Sequence, residues 1–230
     1  MNRNRSVAVV CAILALAYDV VTPQRMPAQD GKNPYPTSMA PLDQYLMDRN
    51  DEIALARSAA PPSISQHATV LVLGKNGFDT AVQGTNGFVC NVDRSWEDAF
   101  ENTPEFWNSK RRGPICFNQA AAKTMVPLIM IRTRLALAGK SKAEIKEGLK
   151  AAIEKGELPA IEPGAMCYMM SKQGHLSDRD GHWYPHLMFF APAKDAESWG
   201  PVIGGADPEQ IAVFAVKVDK WSDGTDAPNQ

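Results

Sequence analysis

The stretch Glu162–Phe190, EPGAMCYMMSKQGHLSDRDGHWYPHLMFF, decides how the rest of the chain is read. From Ala165 to Ser171 it is apolar on both faces, with Met166, Tyr168 and Met170 alternating with Cys167 and Met169. That pattern predicts a strand covered on both sides. His186 to Ala191 is a second run of the same kind, and the polar segment Lys172 to Pro185 joins the two. The pair therefore reads as a hairpin of central strands closed by a long loop.

The loop draws attention because it carries His175, His182 and His186 beside Asp178, Asp180 and Trp183. Neutral imidazoles and carboxylate oxygens are what zinc or iron requires, so His175, His182, His186, Asp178 and Asp180 form a candidate divalent-metal set. The three histidines with Trp183 form a candidate ligand-contact set. The spacing fits neither a helical pair of histidines nor a calcium loop. Pro185 lies between His182 and His186, and Leu176 stands where a calcium loop needs its first acidic ligand. Asp178-Arg179-Asp180-Gly181 is also good turn chemistry, which favours a structural loop. No Gly-x-Ser-x-Gly elbow, dinucleotide fingerprint or phosphate loop is present, and Cys167 on an apolar strand lacks the electropositive surroundings of a reactive thiol. No catalytic residue is assigned.

Outward from this stretch, the N-terminus has an export pattern. Arg3 and Arg5 precede the apolar run Val7–Ala17, and small residues at Ala15, Ala17 and Ala28 offer cleavage sites. Residues 1–28 are read as a signal peptide and 29–40 as an extended arm, GKNPYPTS being rich in Pro, Gly, Asn and Ser. Residues 41–221 make a single domain and 222–230 a frayed tail. The address is periplasmic or secreted, with no membrane span after cleavage. Loss of Cys11 leaves Cys90, Cys116 and Cys167, so at most one internal bridge forms; Cys90 and Cys116 are nearest in sequence, but the pairing stays open. Cys90 itself reads as a small buried hydrophobe.

Within the domain, Leu42, Tyr45, Leu46, Arg49, Ile53 and Ala56 recur at helical steps, predicting one amphipathic helix from Pro41 to the Pro61-Pro62 stop. Three strand-like runs, Thr69–Lys75, Phe78–Gln83 and Phe88–Val92, are separated by Asn76-Gly77 and by Gly84-Thr85-Asn86-Gly87, which predicts a three-stranded meander. Trp96, Phe100, Phe106 and Trp107 fasten the polar connection Ser95–Phe117, in which Lys110-Arg111-Arg112 reads as a solvated run. Asn118 caps a buried helix that Pro127 kinks or divides. Ser141-Lys142-Ala143-Glu144 is a capping box, with Gly156 at the C-cap. Gln210–Val218 is the last strand.

The sum is an α+β domain with an antiparallel sheet of about six strands and helices on a face, an order similar to profilin/PAS-type modules. The phrases GTNGFVC (84–90) and GHWYPHLMFF (181–190) resemble those of uncharacterised exported bacterial proteins. That resemblance implies the exported address and no activity. In a chain of 230 residues, a net charge of −2 gives no electrostatic footprint for nucleic acid. The functional expectation is binding of a small molecule or protein partner without catalysis; the alternative is a metal-dependent hydrolase using the 174–186 loop.

Overall fold

The computed structural model of the chain describes residues 35–98, 100, 104–178, 184–196, 208 and 210–228. The expected signal peptide and the arm up to residue 34 lie outside them, as do Arg179 to Trp183. The described residues from Tyr35 onward belong to one compact unit.

The predicted first helix is broken. A 3-10 turn, Leu42–Gln44, comes first, and α1 (Arg49–Arg57) begins only where the Asp48 carboxylate accepts the backbone N–H groups of Asn50 and Asp51. Such a cap stabilises a helix start by about 1 kcal/mol. Tyr45, set free from the helix, is fully buried and donates its hydroxyl to the Trp107 carbonyl at 2.9 Å. A short α2 (Pro62–Ser65) follows.

The sheet has seven strands: β1 (Thr69–Gly74), β2 (Gly77–Val82), β3 (Val89–Asp93), β4 (Gly113–Phe117), β5 (Met166–Met169), β6 (His186–Pro192) and β7 (Ile211–Lys217). Their order is β2-β1-β3-β4-β5-β6-β7, and every neighbouring pair is antiparallel except β1 and β3. The expected meander is thus corrected. The chain makes the β1–β2 hairpin, then crosses the start of β1 and runs parallel to it. Gly84 permits this crossing: a Cβ there would stand 2.2 Å from the Thr69 nitrogen. Backbone bonds from Thr69 N to Phe88 O (2.9 Å) and Thr85 N to His67 O (2.8 Å) hold the crossing segment.

β4 was not expected either. Its presence before the helices departs from the profilin/PAS-like order of three strands, helices and three strands. Cys116 on β4 lies opposite Cys90 on β3, and the two form a disulfide, so Cys90 is buried as half of a bridge and not as a free hydrophobe. β5 and β6 pair as the hairpin read from the sequence, with Cys167 opposite Met188 and Met169 opposite His186. β6 is next to the edge strand, however, and its Phe189 is 40% exposed, so that side chain is not core.

Helix α3 (Gln119–Leu137) is one helix through Pro127, capped by Asn118, whose Oδ1 accepts from Ala121 N at 2.9 Å. Pro127 removes one backbone bond, yet Thr124, Leu128, Ile129, Ile131 and Arg132 around it are buried, and tertiary packing carries the helix across the gap. α4 (Lys142–Glu154) has the predicted capping box. Gly156 follows it with φ 74°, the left-handed conformation expected there. A single turn, α5 (Ala193–Ala196), follows β6.

One sheet face, including Leu71, Leu73, Ile115, Phe117, Cys167 and Phe190, packs under α3 and α4. The opposite face, with Val70, Cys90, Val92 and Cys116, packs against Leu55 and Ala56 of α1. The aromatics of the connection are buried as expected, and Trp96 donates its indole N–H to Thr133 Oγ1 at 3.0 Å. Of the segment expected to fray, the described residues 222–228 make backbone bonds to the domain: Ser222 N donates to Met170 O at 2.9 Å and Ala227 N to Asp219 O at 2.8 Å.

Candidate functional site

The histidine loop divides between two places. His175 pairs its backbone with Arg112, and its Nε2 lies 2.8 Å from Asp178 Oδ1. Asp178 Oδ2 accepts from Asn108 Nδ2 at 3.2 Å, and the Asp178 N–H donates to Glu105 Oε2. Glu105 also accepts from Ser177 Oγ (2.8 Å) and from Asn108 Nδ2 (2.9 Å). Burial alone would raise the Glu105 carboxyl, but the bonds from Asn108, Ser177 and the Asp178 amide hold it below the usual range. Asp178 is likewise held low, chiefly by His175. The Tyr35 hydroxyl joins both carboxylates, and burial together with those two charges pushes it up to about 12. This network fastens the loop to the segment around Glu105 and to residue 35. Its acceptors are already served by protein donors, which is the signature of a structural latch.

His186 has other partners. It stands at the start of β6 with Nδ1 3.0 Å from the Tyr184 carbonyl; since a carbonyl only accepts, the ring proton sits on Nδ1. Burial lowers its pKa below the ordinary 6.5, so the ring is neutral at pH 7. Among the described residues no group of three or more His, Cys, Asp or Glu side chains is placed to hold a metal ion. His182, Asp180 and Trp183 lie outside the described residues.

His186 lines a cavity of about 370 Å³ between α3 and the β3–β7 half of the sheet. Its walls are apolar: Ile115 and Phe117 from β4, Met188 and Phe190 from β6, Ile211 and Val213 from β7, and Leu128 and Ile129 from α3. At one end polar groups converge. Asp93 ends β3, Glu97 closes the 3-10 turn Ser95–Glu97 and Asp98 follows it; Arg111 and Arg132 complete the set. Arg132 on α3 fixes that turn by donating to the carbonyls of Glu97 (2.9 Å) and Asp98 (2.6 Å), its guanidinium resting 4.2 Å above the Phe100 ring. Arg111 pairs with Asp98 Oδ2 at 2.8 Å and donates to Leu176 O at 3.1 Å. It is only 9% exposed, so the basic run expected to be solvated supplies a buried cation to the cavity wall.

No family model, curated protein or solved structure matches this chain. The chemistry of the cavity is accordingly read from its own atoms.

Burial raises the carboxyls of both Asp93 and Glu97, Glu97 further because of the neighbouring Asp93 charge. With both ionised, neither oxygen of Glu97 meets a donor. Two buried carboxyls side by side titrate as a pair, each making the ionisation of the other harder. Both residues contribute to the cavity wall, while the two carboxylate oxygens of Glu97 are closed off from solvent. Neither was singled out by the sequence reading. The available signal was the alternation in β3, which puts Asn91 and Asp93 on one face of a strand, opposite Cys90 and Val92, with Glu97 four residues on beside a tryptophan.

Proposed function

We propose that this protein binds a small, largely apolar molecule in the cavity beneath α3. One observation carries the reading: a cavity of about 370 Å³ with apolar walls and a small set of polar groups gathered at one end. Ligand sites commonly have this volume and this division between an apolar body and a few orienting groups. The volume equals that of about a dozen liquid waters. Burial of the ligand's apolar surface supplies the affinity, at roughly 25 cal/mol per Å² before the cost of association. The polar end orients it.

The export expected from Arg3, Arg5 and the apolar run that follows remains part of the proposal. It is supported by the Cys90–Cys116 bridge, since such bonds persist in oxidising compartments. Among the described residues no helix is long and apolar enough to cross a membrane.

The binding test uses the neutral dye N-phenylnaphthylamine, whose emission rises in apolar surroundings. The native protein is expected to enhance the emission saturably. Val213→Trp, which fills the cavity from β7, is expected to abolish the enhancement while leaving the circular dichroism spectrum and the cooperative melt in place. Equal enhancement by the two proteins would remove the cavity as the site.

A further inference from the structure

We infer that the ligand is an amphiphile, a carboxylate on an unbranched apolar tail, which enters the cavity tail first and leaves its head at the mouth against the Lys217 ammonium. The inference rests on the binding reading above and names the chemical class of that ligand. The mouth is located by β7. Ile211, Val213 and Ala215 share one face of that strand and line the cavity, and along them the strand passes from buried at Ile211 through half-buried at Val213 to exposed at Ala215. The cavity therefore opens at the Ala215 end. Three cross-strand pairs mark the way out: Phe190 opposite Val213, Met188 opposite Ala215, and His186 opposite Lys217. The first two pairs are cavity wall, and in the third His186 still lines it. Lys217 is thus the next side chain on the cavity face of β7, and it is exposed.

Tyr184, 40% exposed while lining the cavity, forms the other side of the mouth. Lys217 Nζ lies 5.2 Å from the centre of its ring, and that contact holds the ammonium beside the opening. Among the described residues the Tyr184 ring is the one partner this ammonium has, and no carboxylate neutralises it. The end of the cavity lined by Asp93, Glu97 and Asp98 offers an anion nothing comparable. Arg132 is bound there to the carbonyls of Glu97 and Asp98, and Arg111 to Asp98 Oδ2 and the Leu176 carbonyl. A negative charge is therefore met at the mouth, where it also keeps its water and is spared the cost of burial. From Ala215 to Ile211 the wall advances four residues, about 14 Å at the rise of a strand, which an extended tail of about ten carbons with bonds near 1.5 Å matches.

The experiment is calorimetric titration of the protein into decanoate, 1-decanol and decyltrimethylammonium, three heads on one tail, at pH 8. Decanoate is expected to bind about fivefold tighter than decanol, the worth of an ion pair that solvent reaches, and the cation weakest of the three. The advantage of decanoate is expected to shrink in about 0.5 M sodium chloride. Lys217→Met keeps the stem and removes the charge. In that variant decanoate is expected to fall to the level of decanol while decanol binding stays, and Lys217→Arg is expected to retain the preference. A preference for decanoate that survives in Lys217→Met overturns the head group at Lys217 while leaving the cavity as a site. Decanol or the cation binding the native protein as tightly as decanoate does the same. Failure of all three to bind overturns the amphiphile, and N-phenylnaphthylamine then decides the binding reading separately: enhancement that Val213→Trp abolishes keeps the cavity, and no enhancement removes it.

Discussion

Removing the charge of Glu52 tests how the cavity is supported. Glu52 on α1 and Arg94 at the end of β3 are both fully buried, with Arg94 Nη2 2.8 Å from Glu52 Oε1. The same oxygen accepts the Leu73 N–H at 3.0 Å, while Arg94 Nε donates to Tyr45 O at 3.0 Å and Nη1 donates to Val92 O. One ion pair thus ties α1, β1, β3 and the segment around Tyr45 together. Removing one partner of a buried pair costs about 3–5 kcal/mol, because the other charge is left unpaired. In Glu52→Gln an acceptor oxygen remains, so the lower end, about 3 kcal/mol, is expected. With a urea slope of about 2 kcal/mol per M, that lowers the unfolding midpoint by about 1.5 M without changing the slope. Arg94→Met in the Glu52→Gln background should cost less than in the native protein, since the charge it removes is already unpaired. A midpoint shift under about 0.5 M for Glu52→Gln, or strict additivity of the two changes, would refute the account of Arg94 as a charge that depends on Glu52.

Three further outcomes are expected. Gly84→Ala drives a Cβ into the backbone of residues 67–69 and should cost more than about 2 kcal/mol in urea unfolding; a native-like midpoint would mean that the chain does not cross there. Replacing Cys90 and Cys116 by alanine opens a loop spanning 26 positions and should cost about 3.5 kcal/mol, while buried Cys167, its thiol pushed well up by burial, stays unlabelled by Ellman's reagent until the protein unfolds. Between the ordinary carboxylate range and their raised titration, Asp93 and Glu97 bind more protons folded than unfolded, so stability from this pair is fully present at low pH and is lost as pH rises. Glu105 and Asp178, held low, contribute in the opposite sense. The contribution of the pair is therefore read as the difference between native protein and Glu97→Gln from pH 4 to 8, and a pH-independent difference contradicts it.

What could be read in the sequence was what local chemistry dictates. Ser141 and Glu144 satisfy each other's backbone donors wherever the helix goes, so α4 was legible. The doubly apolar runs around Cys167 and Phe190 could be little else but paired strands. What escaped depends on partners far along the chain. Gly84-Thr85-Asn86-Gly87 has turn chemistry, and nothing within it says that the chain will pass over β1 in place of reversing beside it. β4 was hidden because Pro114 and the basic run before it look like loop, whereas its pairing is set by β3 and β5. Asp48 ended the long-helix reading by capping in the middle of an apparently periodic run. The candidate loop was chosen by residue type. The cavity is built from side chains spread from Asp93 to Ala215, and its acid pair acquires its character from burial, a property no spacing displays.

The strand order has a temporal side. From β3 to β7 the sheet grows by adding each new strand to the previous one, in the order in which a ribosome delivers them. Helix α3 is therefore made before three of the strands it will roof, and its apolar underside waits for β5, β6 and finally Ile211–Lys217. The pocket closes only when β7 arrives. Any event that withholds the C-terminal strand, whether a stalled ribosome or a premature stop, leaves a roof without its far wall, and the acid pair open to water.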